Sequence, residues 1–467
     1  MPAKASPEKK KPGPGSPEKT ANHVQKFMKD LIERSAFLAE DPFAENDVAP
    51  IEMKEIILGN KLGNGAFSDA YEVSGFHLCD DDVGPLTPHE EKTRMALNDE
   101  IAPDDDESSV VSSSSRGSSG SRSSRRRGKR QPPKIYKKFV VKHLKADLFE
   151  EGQYGYLKLA ACDIVKEASF LASIDHPHIL RLRGMSRSGA QGFLNGRPDG
   201  FFLLLDRLSG DKLFDRLYKW KDDISNKTLL PMFSSMPDRL FLEKVLKMAA
   251  DVASALAYLH KNNIMHRDIK PSNLGFNMNG DVILFDFGFA VEVPVSKKSK
   301  DDGGEDLENE NFQLSGGVGS FRYMATEVAL MKPYNLKADV YSFFAVFYEM
   351  MALKKFCYEY DGTSKDHFSA AVHIKGSRPS ECESISNTNQ YGWSIELQKL
   401  MHRGWSNDPT ERPSMSEVNK KLHQQHLEVA NSLKARQTRA GPIRRTISNI
   451  RNNRARSANT VRRSSYM

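Results

Sequence analysis

The sequence predicts an α+β protein in two lobes, a smaller β-rich one followed by a larger helical one. Three observations carry this. Strand-like runs cluster in the first 208 residues. Helical apolar spacing dominates after that. And one late stretch, DVYSFFAVFYEMMAL, is apolar around its whole circumference, as expected of a helix buried at a domain centre.

Taken in order, residues 1–20 are Lys, Pro, Gly and Ser and read as disordered. Over 21–40, Val24, Phe27, Met28 and Leu31 follow helical spacing and predict a short amphipathic helix that docks on the neighbouring domain. From Glu55, EIILGNKLGNGAFSDAYEVSGF reads as two strands joined by a glycine-containing turn. Residues 78–134 begin acidic and become Ser/Arg-rich, so they read as a solvated loop with little to bury. KKFVVKHLK is a strand, DIVKEASFLASI lies in a helix, and FFLLLDRL is another apolar strand. Between Phe241 and Lys261, Val245, Ala249, Val252, Leu256 and Leu259 mark a long amphipathic helix. That helix runs into HRDIKPSN, and GDVILFDFG then forms a short strand ending in a carboxylate. A second polar insert follows at 296–311.

Four scattered cysteines, Cys79, Cys162, Cys357 and Cys382, make no C-x-x-C pair, which argues for a reduced, intracellular protein without structural zinc. The start, MPAKASPEKKKPGPGSPEK, has no apolar core, so no secretory signal is expected there, and no window is apolar enough for a membrane span. The expected setting is cytoplasmic, with a nuclear pool allowed. The net charge is +7; Lys434–Met467 holds ten Lys/Arg and no Asp/Glu, which leaves −3 for the rest. The basic character therefore belongs mainly to a tail. Such a tail can touch nucleic acid or an anionic membrane, but it lacks interleaved aromatics, and self-solvation or contact with the acidic stretch 99–107 is the plainer reading.

Phosphoryl transfer asks a protein to hold phosphates, neutralise their charge with a metal and aim a hydroxyl in line. Gly63 and Gly65 of GNGAFS permit close backbone approach, although two glycines between strands often just make a hairpin. In FVVKHL, alternation puts Val140, Lys142 and Leu144 on one face; an ammonium there is costly unless paired, and Glu167 on the following helix is the partner on offer. Hard oxygen ligands for a metal come from Asp286, at a strand end, and from the Asn273 amide. Asp268 can accept or orient a hydroxyl proton, and Lys270 can neutralise charge on the transferred group.

The chain resembles the eukaryotic protein kinase superfamily in GNGAFS, FVVK, KEASFL, HRDIKPSN, DFG, MATE, ADVYSF and NDPTERP. HPHILRLRG and DVYSF suggest its tyrosine-kinase-like branch of serine/threonine enzymes. The resemblance covers residues 54–428. It implies a bilobal kinase fold with an N-lobe at 54–205, containing the 78–134 insert, and a C-lobe at 206–428, with an insert at 294–313. A disordered arm at 1–53 and a basic tail at 429–467 flank it. The implied reaction moves the γ-phosphate of ATP, with Mg2+, to Ser/Thr hydroxyls of protein substrates. The alternative is a pseudokinase-like nucleotide-binding scaffold that acts through partners.

The implied roles fall residue by residue. Asp268 is the catalytic base, with Lys270 beside it, and Lys270 points to serine/threonine rather than tyrosine acceptors. Lys142 pairs with Glu167 and holds phosphates, and Gly63 and Gly65 cover them. Leu62, Ala70 and Val140 line the nucleotide site, Leu205 gates it, and Asp206 to Leu208 form the hinge. Asn273 and Asp286 bind magnesium, and Glu327 and Arg412 form a structural ion pair. Ser68 replaces a third glycine, Ala70 a valine and Val140 an alanine. Thr326 replaces a proline, which predicts a looser end to the activation segment. Arg267 before Asp268 implies activation by a phosphate on that segment, placed by an upstream kinase, with Ser315 the candidate and Ser320 facing the substrate. RRTIS and RRSS in the tail look like sites for an arginine-preferring kinase, and Lys212 and Ser272 stand where such kinases carry acids, so another kinase is expected to modify the tail. Cys162 reads as packing, with redox sensitivity the lesser alternative.

Overall fold

The computed structural model describes residues 17–38, 47–77, 86–101, 138–150, 153–227, 236–294, 310–379 and 393–435. The Ser/Arg tract, most of the second polar insert and the basic tail beyond residue 435 lie outside them. The chain divides into two compact units, the first Met1–Gly210 with Asn277–Gly280 and Phe285–Ala290, the second the remainder.

The first unit is built on six strands: β1 (Ala49–Ile51), β2 (Ile56–Asn64), β3 (Ser68–Phe76), β4 (Phe139–Leu144), β5 (Leu182–Ser186) and β6 (Phe202–Asp206). Their order is β1-β5-β6-β4-β3-β2. β1 runs parallel to β5 and every other pairing is antiparallel. One face buries Ile51, Ile56, Val73, Phe139, Val141, Phe202 and Leu204. On β4 this reverses part of the sequence reading. Phe139 and Val141 turn to the core, and Val140 and Lys142 stand on the half-open face. An ammonium is cheaper there, because part of its hydration is kept.

Three helices pack on this unit: α1 (Pro17–Arg34), α2 (Pro88–Ile101) and α3 (Tyr154–Ser173). The helix expected over 21–40 starts and ends earlier than predicted. Thr20, Ala21 and Val24 are its buried residues. α2 and β1 correct the sequence reading, which put both in disordered chain. α2 packs on β1. Its start carries a reciprocal cap, with Thr87 N–H donating to Glu90 Oε2 and Glu90 N–H to Thr87 Oγ1. Arg94 donates from Nη2 to Glu55 Oε1 at 2.6 Å and from Nη1 to Oε2 at 3.2 Å, with both side chains almost fully buried. The polar composition that suggested disorder conceals a helix anchored by this ion pair and by one buried leucine, Leu97.

The second unit is mostly helical. It holds α4 (Leu213–Lys227), α5 (Met236–Lys261), α6 (Thr326–Ala329), α7 (Lys337–Ala352), α8 (Lys365–Phe368), α9 (Ile395–Gly404) and α10 (residues 415–435). Two small antiparallel pairs accompany them, β7 (Ile264–Met265) with β10 (Val291–Glu292) and β8 (Leu274–Phe276) with β9 (Val282–Leu284). The stripe Val245, Ala249, Val252, Leu256 and Leu259 of α5 is buried throughout, as its spacing predicts. All sixteen residues of α7 are buried, matching its unbroken apolar circumference.

Two of those residues, Asp339 and Glu349, are carboxylates. Asp339, in the first turn of α7, accepts the backbone N–H groups of His266 and Arg267, each at 2.8 Å, and lies 3.2 Å from His260 Nε2. Burial alone would raise its pKa. The hydrogen bond and charge of His260, with His266, outweigh that and hold it below the ordinary value. A depressed carboxyl pKa stabilises the fold above the unfolded value of about 4, and that stabilisation is lost as pH falls through the folded value. Asp339→Asn is expected to cost about 3 kcal/mol at pH 7. Thermal unfolding scanned from pH 7 down to pH 3 checks this: the variant's deficit should shrink on acidification.

Candidate active site

In the first unit, Lys142 on β4 donates to Glu167 Oε2 on α3 at 2.6 Å. Glu167 is almost fully buried, and Lys142 keeps about a fifth of its side chain exposed. Burial would lower the lysine's pKa, but the carboxylates of Glu167 and Asp286 outweigh it and hold it above its ordinary value. Lys142 is therefore a fixed cation flanked by two carboxylates. Asp286 follows β9 with a left-handed backbone, φ 72°, unusual for a residue other than glycine and typical of strained functional positions. The next residue, Phe287, is fully buried, and its turn packs against α3. The sequence-predicted pair and Asp286 are thus brought together.

The β2–β3 hairpin carries GNGAFS as expected. Gly65 N–H donates to Ser68 O at 2.8 Å and closes the turn. A Cβ added at Gly65 would crowd the same oxygen at 3.0 Å, so the fold itself asks for glycine there. Gly63 differs: its added Cβ would meet nothing nearer than Ala70 Cβ, at 3.5 Å. The fold sets no steric demand at Gly63, and a bare backbone there suits close approach of a ligand. Leu62 is exposed, Leu205 buried, and Ala70 pairs with Lys142 across β3–β4. Asp206 uses its carboxylate on Arg183, which donates from Nε at 2.7 Å and from Nη2 at 3.2 Å, and Leu208 is half-buried beyond it. The Asp206 side chain is therefore a structural anchor. Cys162 on α3 is half-buried, and burial pushes its thiol up to about 11, which keeps it protonated and unreactive.

The second unit holds the other set. Lys270 Nζ donates to Asp268 Oδ2 at 2.7 Å and to Ser320 Oγ at 2.9 Å. Ser320 N–H donates to Asp268 Oδ1 at 2.8 Å. Asn273 spends its amide N–H groups on Asp268, on the carbonyl at 2.9 Å and Oδ2 at 3.0 Å. That fixes the amide so that its oxygen is the end able to serve a cation. Asp268 is thereby locked in one orientation by a lysine, an amide and a backbone N–H.

Arg267, at φ 65°, donates from Nη1 to Ser315 Oγ at 3.0 Å and to the Tyr334 hydroxyl at 3.1 Å. Tyr334 in turn donates to Ser315 O at 2.7 Å. Glu327 and Arg412 form the expected ion pair, bidentate at 2.6 and 2.9 Å and buried. The expectation from Thr326 is corrected: its hydroxyl donates to Asn407 Oδ1 at 2.8 Å and ties the segment's end down where proline would only stiffen it. Among the described residues no group of three or more His, Cys, Asp or Glu could hold a metal ion. A divalent ion here would need oxygen ligands from a bound anion as well, as magnesium commonly does.

The family model for the protein kinase domain matches residues 119–423. The chain belongs to the protein kinase family. Membership implies use of ATP with a divalent cation. The match begins after the β2–β3 hairpin, so the kinase's glycine-bearing turn lies outside it. Among similar proteins, the Serine/threonine-protein kinase STY46 of Arabidopsis thaliana is 28% identical over 57% of this chain and 38% of its own length. The Serine/threonine/tyrosine-protein kinase HT1 of the same plant is 28% identical over 54% of this chain and 52% of its own. The Dual specificity protein kinase shkB of Dictyostelium discoideum is 26% identical over 61% and 36%. The kinase thus spans between about a third and a half of the length of these relatives. No helix among the described residues is long and apolar enough to cross a membrane.

Sequence reasoning missed two residues that set this kinase's geometry. Asp339 was legible in principle, as an acid opening an otherwise apolar helix. Gly319 was not: its need appears only in three dimensions. It has φ 99°, and an added Cβ would fall 2.3 Å from Arg267 O. Gly319→Ala must therefore move Ser320 away from Asp268. The expected loss is on the order of 10²-fold in phosphorylation rate, with a lower melting temperature from the strained backbone but a protein still folded at the assay temperature. Steady-state assay with a generic protein substrate, beside circular dichroism, checks it.

Proposed function

We propose that the chain is an ATP-dependent protein kinase acting on serine and threonine hydroxyls, with its kinase domain spanning residues 54–428. The observation that carries the acceptor assignment is the Lys270 ammonium held between Asp268 and Ser320. Lys270 and Ser320 crowd the carboxylate, which favours a short aliphatic hydroxyl over a phenol on a long ring. The name of one relative, serine/threonine, supports this reading, while the names of two others, serine/threonine/tyrosine and dual specificity, are broader and admit tyrosine.

In this reading Asp268 orients the acceptor hydroxyl and takes its proton as the new bond forms. Lys270 offsets negative charge on the transferred group. Lys142, held by Glu167, steadies the nucleotide phosphates, and the bare backbone at Gly63 lies against them. Leu62, Ala70, Val140 and Leu205 supply apolar contact to the base. Asp286 and Asn273 offer the hard oxygens that suit magnesium. Bound magnesium supplies charge neutralisation on the phosphates. Arg267, already on Ser315 Oγ, would clasp a phosphate placed there by an upstream kinase.

Asp268→Asn is expected to lower transfer of radiolabelled phosphate by about 10²–10⁴-fold with the fold intact. Phosphoamino-acid analysis should find label on serine and threonine only; label on tyrosine would mean dual specificity. Labelling that stays at background in the wild type and in Asp268→Asn alike would support the scaffold alternative. Ser315→Ala should resist activation by an upstream kinase, and equal turnover of the two proteins after full activation would remove Ser315 from the account.

A further inference from the structure

α3 is covered on more than one side. Five consecutive residues, Glu167 to Leu171, are buried, and no single face of a helix can bury five in a row. Three structures supply the cover: the sheet, through β4 and β5; the turn Phe287–Phe289; and α1. α1 lies along α3 and also against the turn Gly189–Asn195 that follows β5. Its contact stripe runs through Thr20, Ala21 and Val24, all buried, and on through the half-buried Phe27, Met28 and Leu31. Beyond Arg34 the chain is turned back by Ser35, whose Oγ accepts the N–H groups of Phe37 and Leu38, and Leu38 is buried.

This places α1 where it can set the position of Glu167. Lys142 sits on the rigid sheet, but Glu167 is carried by α3, and a helix can roll or slide on a sheet. The 2.6 Å ion pair survives only in one placement of α3. Contact with α1 narrows the placements open to α3, although Tyr156 and Leu159 stay exposed.

We propose that α1 is a built-in positioning element for the Lys142–Glu167 pair, acting through α3, with Val24 as its anchor. This rests on the phosphate-holding role assigned to Lys142. The bland account is that α1 only adds stability, and the two accounts differ in what a detached α1 can do.

The experiment compares the full chain with a chain lacking residues 1–38, and with Val24→Asp in the full chain. Both variants are expected to lose between about two- and thirty-fold in kcat/KM, the range for mutations that bias a coupled element, and amide exchange in α3 should quicken. A synthetic peptide of residues 17–38 should restore activity to the truncated chain in a saturable way. The same peptide carrying Val24→Asp should not. Wild-type rates in both variants would overturn the proposal. So would lost activity that the peptide fails to restore, since that is the signature of stability alone. An inactive full chain that still shows slow α3 exchange, quickened by Val24→Asp, would instead overturn the kinase reading and leave the mechanical role of α1 standing.

Discussion

The second unit depends on a carboxylate taken out of water. Asp339 reaches from the buried start of α7 and receives the N–H groups of His266 and Arg267. Those groups could otherwise find no partner in a loop bent through a left-handed residue at position 267. A buried charge is tolerated only when its hydrogen bonds are made, so Asp339 and the loop require each other. Everything downstream in the loop inherits that fixed origin. Asp268 leaves the same turn, and Lys270 and Asn273 return to it.

The first unit solves a related problem with opposite signs. Lys142 is placed on the half-open face of a strand and flanked by carboxylates. Its charge is held in place instead of being allowed to relax. Glu167 is its partner, carried by α3, which packs on the sheet, on the turn Phe287–Phe289 and on α1. In both units the reactive side chains are short of freedom, and the restraint comes from groups that do no chemistry themselves.

The chemistry was largely legible in the sequence, and the restraints largely were not. HRDIKPSN and DFG place four polar groups at separations that a random loop would not need, and the alternation of FVVKHL located Lys142. The long helix after Phe241 followed from five apolar positions. Legibility failed where composition misleads. α2 is mostly polar, and the ion pair Arg94–Glu55 with a single buried leucine, Leu97, leaves no periodic apolar stripe to read. β1 is three residues long and joins the sheet only through a partner far along the chain. The face of β4 that carries Lys142 was assigned to the interior because alternation gives two faces without saying which is covered. Thr326 looked like a weakness because its hydroxyl partner, Asn407, is 81 positions away.

The anchoring of α2 changes what the long β3–β4 connection costs. Closing a flexible segment costs entropy that grows only with the logarithm of its length, about 0.6 kcal/mol per doubling. The length of such a connection is therefore a weak constraint by itself. Residues 86–101 have no such licence, because deleting them would strand the Glu55 carboxylate without its arginine. A stretch that looks like insertion by composition is thus, at Arg94, as constrained as any strand.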